Sequence, residues 1–239
     1  MRVDATRYES AAAWILERGR AGDGGMVCVA TVHMVMESWD DPGLRRIVNA
    51  SEIVTPDGVP LVWGLRRLGL PGARRVYGPE LTLRLCRLAA AAGVRVGFYG
   101  GSDAVLDALV ARLSVLAPGL RIAFRHAPPF RPLDPDEDDR VSEAIRESGA
   151  QVLFVGLGCP KQERWMAAHR DALSCAMLGV GAAFDFLAGA KPQAPAWLQH
   201  AGLEWLFRLA CEPRRLWRRY LIHNPRFLAL FAWQLVRGR

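Results

Sequence analysis

Lysine is almost missing from this 239-residue chain: Lys161 and Lys191 are the only two, and the other 29 of 31 basic residues are arginine. A high-GC genome accounts for such a bias, so it names no ligand by itself. Cysteine is scarce and unpatterned. Cys28, Cys86, Cys159, Cys175 and Cys211 are odd in number and show no CxxC or CxxH spacing. That argues against a disulfide framework or a structural zinc site and fits a reducing cytoplasm. Cys28 and Cys175 sit in apolar runs, as small core hydrophobes do. Long apolar runs are missing too. The longest candidate, Phe227 to Val236, is half of the roughly 18–20 residues that a membrane span needs. The N-terminal segment carries Asp4, Glu9 and Glu17 and no apolar stretch of signal-peptide kind. The expectation is a soluble or peripheral protein.

What is present is a globular composition, 51% hydrophobic and 23% charged, which excludes wholesale disorder and fibrous rods. The length suits one α/β domain with an appendage. Short β-branched runs alternate with helical patterns between about residues 26 and 187. The strand candidates are Met26–Thr31, Glu52–Thr55, Arg75–Tyr77, Val94–Tyr99, Arg121–Phe124, Gln151–Val155 and Cys175–Val180. Strands buried on both faces with helices between them predict a Rossmann-like α/β fold with a largely parallel sheet.

Composition changes near Ala188–Pro195, which divides the chain into an α/β core, 1–195, and a helical appendage, 196–239. The appendage has eight arginines against Glu204 and Glu212, and so holds six of the seven net positive charges. Charge of this kind suits nucleic acid, a membrane surface or an anionic substrate. Pro213 is placed to open a helix at its first position. Arg214, Arg215, Arg218 and Arg219 then recur along one broad face, with Leu216, Trp217 and Tyr220 on the other. Arginine flanked by tryptophan and phenylalanine is the composition of a helix lying in an anionic lipid interface. The core has no nucleic-acid motif, and nucleic acid is not expected as a partner.

In an open parallel sheet, ligands bind beyond the carboxyl ends of the strands. Ala30-Thr31-Val32-His33 is one such end. Val54-Thr55-Pro56-Asp57-Gly58 is another, with a carboxylate that serves either a turn or chemistry. Gly97 to Asp103 runs a strand into Gly100-Gly101-Ser102, whose N–H groups suit a diphosphate, although the lysine of a P-loop and the full GxGxxG are absent. Gly156-Leu-Gly-Cys-Pro-Lys-Gln162-Glu163 begins as GxG but breaks off at Pro160 and Lys161, which counts against NAD. Asp185, between Phe184 and Phe186, is either a half-buried structural carboxylate or a ligand contact. The acidic run Asp134 to Asp139 offers DxD spacing, yet it stands where a helix begins. Carboxylates favour that end of the dipole, so a solvated helix start is expected and no metal.

Taken together, the VxTxDG-like segment, GxPKQE, GxGAxFDFLAG (Gly179–Gly189) and LEWLxRLxxEPRRLxRRY (Leu203–Tyr220) resemble the WecG/TagA/CpsF family of bacterial glycosyltransferases, from about residue 26 to 231. The resemblance implies an inverting, metal-independent transfer of a sugar from a UDP-sugar, with no cofactor, to a polyprenyl-diphosphate-linked sugar. The product would be an intermediate of a surface polysaccharide. It implies Asp57 as general base, Thr31 as a hydrogen-bonding partner of the substrate, and Gln162, Glu163 and Asp185 as donor-binding residues. Tyr77-Gly78-Pro79-Glu80-Leu81 looks like the family's VxGxDL. His33 stands where the family commonly has Asn, and Gln193 where it has Arg. His33 is expected on the acceptor side.

With no metal, the departing diphosphate must be met by fixed cations. Arg214, Arg215 and Arg218 are expected to share that role, while Trp205, Trp217, Phe227, Phe231 and Trp233 face lipid or the core. The expected location is cytoplasmic, peripheral on the inner face of the cell membrane, with a homo-oligomer left open. The rival readings are a non-catalytic, membrane-docked scaffold of the same fold and a nicotinamide-dependent enzyme.

Overall fold

The computed structural model describes residues 1–238, apart from the side chain of His200. In chain order the core elements are α1 (Tyr8–Ala21), β1 (Met26–Ala30), α2 (Val32–Asp40), α3 (Pro42–Ala50), β2 (Ile53–Pro56), α4 (Val59–Arg67), α5 (Gly78–Ala92), β3 (Arg95–Gly100), α6 (Asp103–Leu116), β4 (Arg121–His126), α7 (Pro135–Ser148), β5 (Val152–Gly156), α8 (Lys161–His169), β6 (Ala176–Gly179) and α9 (Ala183–Ala188). The tail adds α10 (Ala196–His200), α11 (Glu204–Cys211), α12 (Pro213–Trp217), a π-helical turn over Arg218–Ile222, and α13 (His223–Val236). Arg239, the last of the tail's arginines, lies outside the described residues.

The six strands form one all-parallel sheet in the order β2-β1-β6-β5-β3-β4. Successive side chains of a strand point to opposite faces, and the core divides accordingly. Val27, Val29, Phe98, Phe154 and Leu178 pack on one face, beneath helices that include α1, α5 and α6. Met26, Cys28, Ala30, Leu153 and Met177 pack on the other, beneath helices that include α2, α3 and α8. Strands covered on both sides leave only their ends open to a ligand.

Six of the seven expected strands form. Arg75–Tyr77 does not. It is an extended loop that touches the edge strand β2 through one backbone bond, Val76 N–H to the Pro56 carbonyl at 2.9 Å. The run is three residues long, and Gly78-Pro79 turns it at once into α5, so no ladder can build. The acidic run opens α7, as expected of a helix start. Asp134 caps the helix and Glu137 completes the capping box.

The tail packs on the core rather than standing apart. Phe227 and Phe231 of α13 are buried in the cluster beneath α2, and Phe231 lies against Gly64 and Trp63 of α4. Asp40 and Arg226 pair two-pronged at 2.5 Å across the same seam. Trp217 and Trp233 stay exposed. The single arginine face expected of the tail is broken at the π-turn. Pro225 has no N–H to give the Leu221 carbonyl, and its ring crowds that carbonyl. A wider turn relieves both, and it swings Arg219 inward while Arg214 and Arg218 remain at the surface.

Candidate active site

A cavity of about 580 Å³ opens at the carboxyl ends of β1, β2, β5 and β6. Its floor is the loops that follow those strands. Its roof is the tail, which contributes Glu204, Trp205, Arg208, Arg219, Tyr220 and His223. Strand order decides which loops meet. β1 and β6 are neighbours at the centre, so Thr31, Asp57, Gly158 and Gly181 reach one crevice from segments distant in sequence.

Asp57 follows β2 and faces the cavity. Its Oδ1 accepts from Arg75 Nε at 3.2 Å and Nη2 at 3.0 Å, and its Oδ2 accepts one long bond, 3.3 Å, from Gly78 N–H. Oδ2 therefore keeps a lone pair for a proton. Arg75 also holds Glu204 of α11 at 2.7 Å, so one guanidinium joins the loop after β2 to the tail. The Tyr77 ring lies under Arg75, 4.3 Å from its guanidinium carbon, and the Tyr77 N–H is fixed by the Tyr8 hydroxyl at 2.8 Å. Burial holds the Asp57 carboxyl above the usual carboxylate range; Arg75 pulls it down and Glu204 pushes it up. Loss of water and two acids around one arginine make Asp57 a better proton acceptor than a free aspartate.

The roof is cationic in an unbalanced way. Arg219 is half-buried at the cavity wall, and its Nε is a buried nitrogen with no hydrogen-bond partner among the described residues. Its one hydrogen bond to a described residue is a long one, Nη2 to Thr31 Oγ1 at 3.5 Å. Burial, with Arg208 and Arg215 beside it, lowers its pKa. Arg208 stacks on Phe186 at 5.2 Å, and Arg215 is held by Glu212. A guanidinium with a buried, unsatisfied N–H and no carboxylate beside it is costly until an acceptor meets it. The cavity is thus built for a negatively charged ligand.

A family model described as the glycosyl transferase WecG/TagA/CpsF family matches residues 1–239. The chain belongs to that family. An N-acetylglucosaminyldiphosphoundecaprenol N-acetyl-beta-D-mannosaminyltransferase of Bacillus spizizenii is 28% identical over 199 residues, covering 83% of this chain and 75% of the relative. A Staphylococcus aureus protein of the same name is 30% identical over 194 residues, covering 81% of this chain and 72% of the relative.

The residues nominated from the sequence fall into two groups. Asp57, Thr31, His33, Gln162, Arg215 and Arg218 line the cavity. Gly100, Gly101, Glu163, Asp185 and Arg214 do not. Gly100 ends β3, one strand too far along the sheet, where a side chain would strike the Gly156 backbone. Glu163 is fully buried under Gln162 and accepts from its Nε2 at 2.8 Å. Gln162 is largely spent on the scaffold: its Oε1 takes the N–H groups of Gly158 (3.1 Å) and Gly181 (3.0 Å), tying together the loops after β5 and β6. Asp185 pairs with Lys191 at 3.3 Å, and Lys191 reaches Glu212 at 3.4 Å, so this carboxylate anchors the tail. Gln193 donates to the Tyr77 hydroxyl at 3.1 Å, beside Arg75.

Sequence reasoning missed Arg75 and Glu204 in the site and placed Arg219 only in the basic stripe. The signal for Arg219 is Pro225, six residues on, which forces the turn that aims it. One consequence concerns pH. A negative charge at Glu204 raises the Asp57 pKa and also occupies Arg75. Glu204→Gln removes both effects, so Asp57 should titrate lower. The acid limb of kcat/KM for sugar transfer should then move to lower pH than in the wild type. An unmoved limb would take Asp57 out of the profile.

Proposed function

We propose that this glycosyltransferase moves a sugar from a UDP-sugar to a polyprenyl-diphosphate-linked N-acetylglucosamine, with inversion at the anomeric carbon and no metal at the diphosphate. The observation that carries the reading is the pairing, in one cavity, of a proton-accepting carboxylate with an inward-facing arginine that has no acid beside it among the described residues. The acceptor hydroxyl oxygen bonds to the anomeric carbon as its proton passes to Asp57 Oδ2. The bond from that carbon to the β-phosphate oxygen breaks, and its electron pair leaves on UDP. Arg219, with Arg208 and Arg218 at the rim, receives the charge. Thr31, next to Arg219, orients the reacting sugar, and His33 stands on the acceptor side. The names of the relatives support the acceptor class, and the beta configuration in them is what inversion of an α-linked nucleotide sugar yields.

A lipid-linked acceptor calls for a protein at the membrane surface. No helix among the described residues is long and apolar enough to cross a bilayer. The tail instead exposes Trp217, Leu221, Ile222, Leu228 and Trp233 beside Arg214 and Arg218. Apolar side chains rimmed by arginine suit docking on an anionic leaflet, peripheral and on the cytoplasmic side.

The test is a panel of UDP-sugars offered with a polyprenyl-diphosphate N-acetylglucosamine acceptor, read as UDP release and lipid product. One donor, UDP-N-acetylmannosamine first among them, should exceed the others by about a hundredfold or more, a contrast that a hydrogen-bonding sugar pocket produces. No transfer from any donor would leave the non-catalytic scaffold as the reading.

A further inference from the structure

We infer that His33, Glu37 and His223 form a binding site for a divalent transition-metal ion, which clasps the C-terminal segment onto α2. His33 and Glu37 are one helical turn apart and share a face of α2. His223, the first residue of α13, is carried to them by the seam that Phe227, Phe231 and the Asp40–Arg226 pair make with the core. One ligand atom from each residue falls within 4.8 Å of the others.

The three side chains do not satisfy one another. His33 Nδ1 lies 3.6 Å from Glu37 Oε1, and His223 Nε2 lies 3.9 Å from the same oxygen. Both are too long for hydrogen bonds. The two rings meet edge to face at 5.2 Å, and His33 Nδ1, the atom that faces Glu37, is buried without a hydrogen-bond partner among the described residues.

A zinc ion bound at about 2.0–2.1 Å from nitrogen and oxygen spaces tetrahedral ligand atoms about 3.3–3.4 Å apart. The observed separations, 3.6 and 3.9 Å to the carboxylate oxygen and none above 4.8 Å, reach that range by rotations of the three side chains. Two imidazoles and one carboxylate select borderline divalent ions, Zn²⁺ or Co²⁺, over Mg²⁺ or Ca²⁺. All three residues line the cavity, so a fourth position stays open to it. The positive charge of Arg219 opposes a cation here, and the Glu37 charge offsets it. The inference does not rest on the sugar-transfer reading, whose proton and diphosphate steps use Asp57 and the arginines, although the two share His33.

The experiment uses the full-length protein, stripped with chelator and titrated with Zn²⁺ and, in parallel, Co²⁺. One equivalent should bind per chain, with visible ligand-field bands for Co²⁺, a higher midpoint of thermal unfolding and slower proteolysis within 196–239. His33→Asn and Glu37→Gln should each weaken Zn²⁺ binding by about tenfold or more and lose the protection of the tail. His126→Asn, which changes a histidine outside the cluster, should bind as wild type does. Absence of stoichiometric binding, equal binding in the three variants, or a tail no better protected with zinc would overturn the clasp.

Discussion

Asp57→Asn should lower kcat by about 10²–10⁴-fold, the usual contribution of a positioned proton acceptor, while UDP binds with the wild-type Kd. The substitution is close to isosteric. The asparagine carbonyl still accepts from Arg75, and Arg75 keeps its 2.7 Å partner in Glu204, so the loop after β2 and the tail remain joined. What is lost is the charge and the free lone pair on Oδ2. The Asp57 carboxyl stands above the ordinary carboxylate range because burial and Glu204 outweigh Arg75, and that places it closer to the pH at which a base works. Single-turnover rates with calorimetric UDP titrations separate the two quantities. A kcat near wild type would end the assignment of Asp57 as base, and a weakened UDP affinity at intact kcat would move it to donor binding.

Arg219→Met should reduce kcat by about 10²–10³-fold, as the removal of one well-placed donor to a developing oxyanion does, and weaken UDP binding by at least about tenfold. Its effect on stability should run the other way. In the free protein Arg219 Nε is buried with no hydrogen-bond partner among the described residues. An uncharged side chain with a similar stem removes that cost, so the midpoint of unfolding should hold or rise. A structural arginine would behave in the opposite manner, losing stability while kcat stayed. Arg214→Met, at an exposed position away from the cavity, should leave kcat close to wild type on a soluble acceptor analogue. Equal losses at Arg214 and Arg219 would mean that net charge of the tail, and not the inward turn, carries the effect.

The parts of the site that were legible in the sequence share one property: each is announced by its neighbours in the chain. Asp57 and Thr31 stand directly after β-branched runs, and a residue in that place reaches the ligand end of a parallel sheet. Gln162 was legible by its place in GxPKQE, but not its task, which is to tie two loops together through Gly158 and Gly181. Gly100 and Gly101 have the local chemistry of a diphosphate cradle but stand at the end of a strand that does not reach the cavity. β3 lies beyond β5 from the crevice, an outcome of sheet order that no local run encodes.

By itself, then, the sequence determined the alternation of strands and helices, the two-faced burial of the sheet, the family, and the concentration of charge in the last 44 residues. Those properties depend on periodicity and composition, which act over a few neighbouring residues. Only the tertiary structure decided that Arg75 bridges Asp57 to Glu204, 129 positions later, that Arg219 alone of the paired tail arginines turns inward to Thr31, and that His33 and Glu37 meet His223. Contacts of this range follow from strand order and from helix seams such as that of Phe227 and Phe231 on α2. The burial that fixes such a seam belongs to the whole core, and so its consequences appear only when the chain is folded.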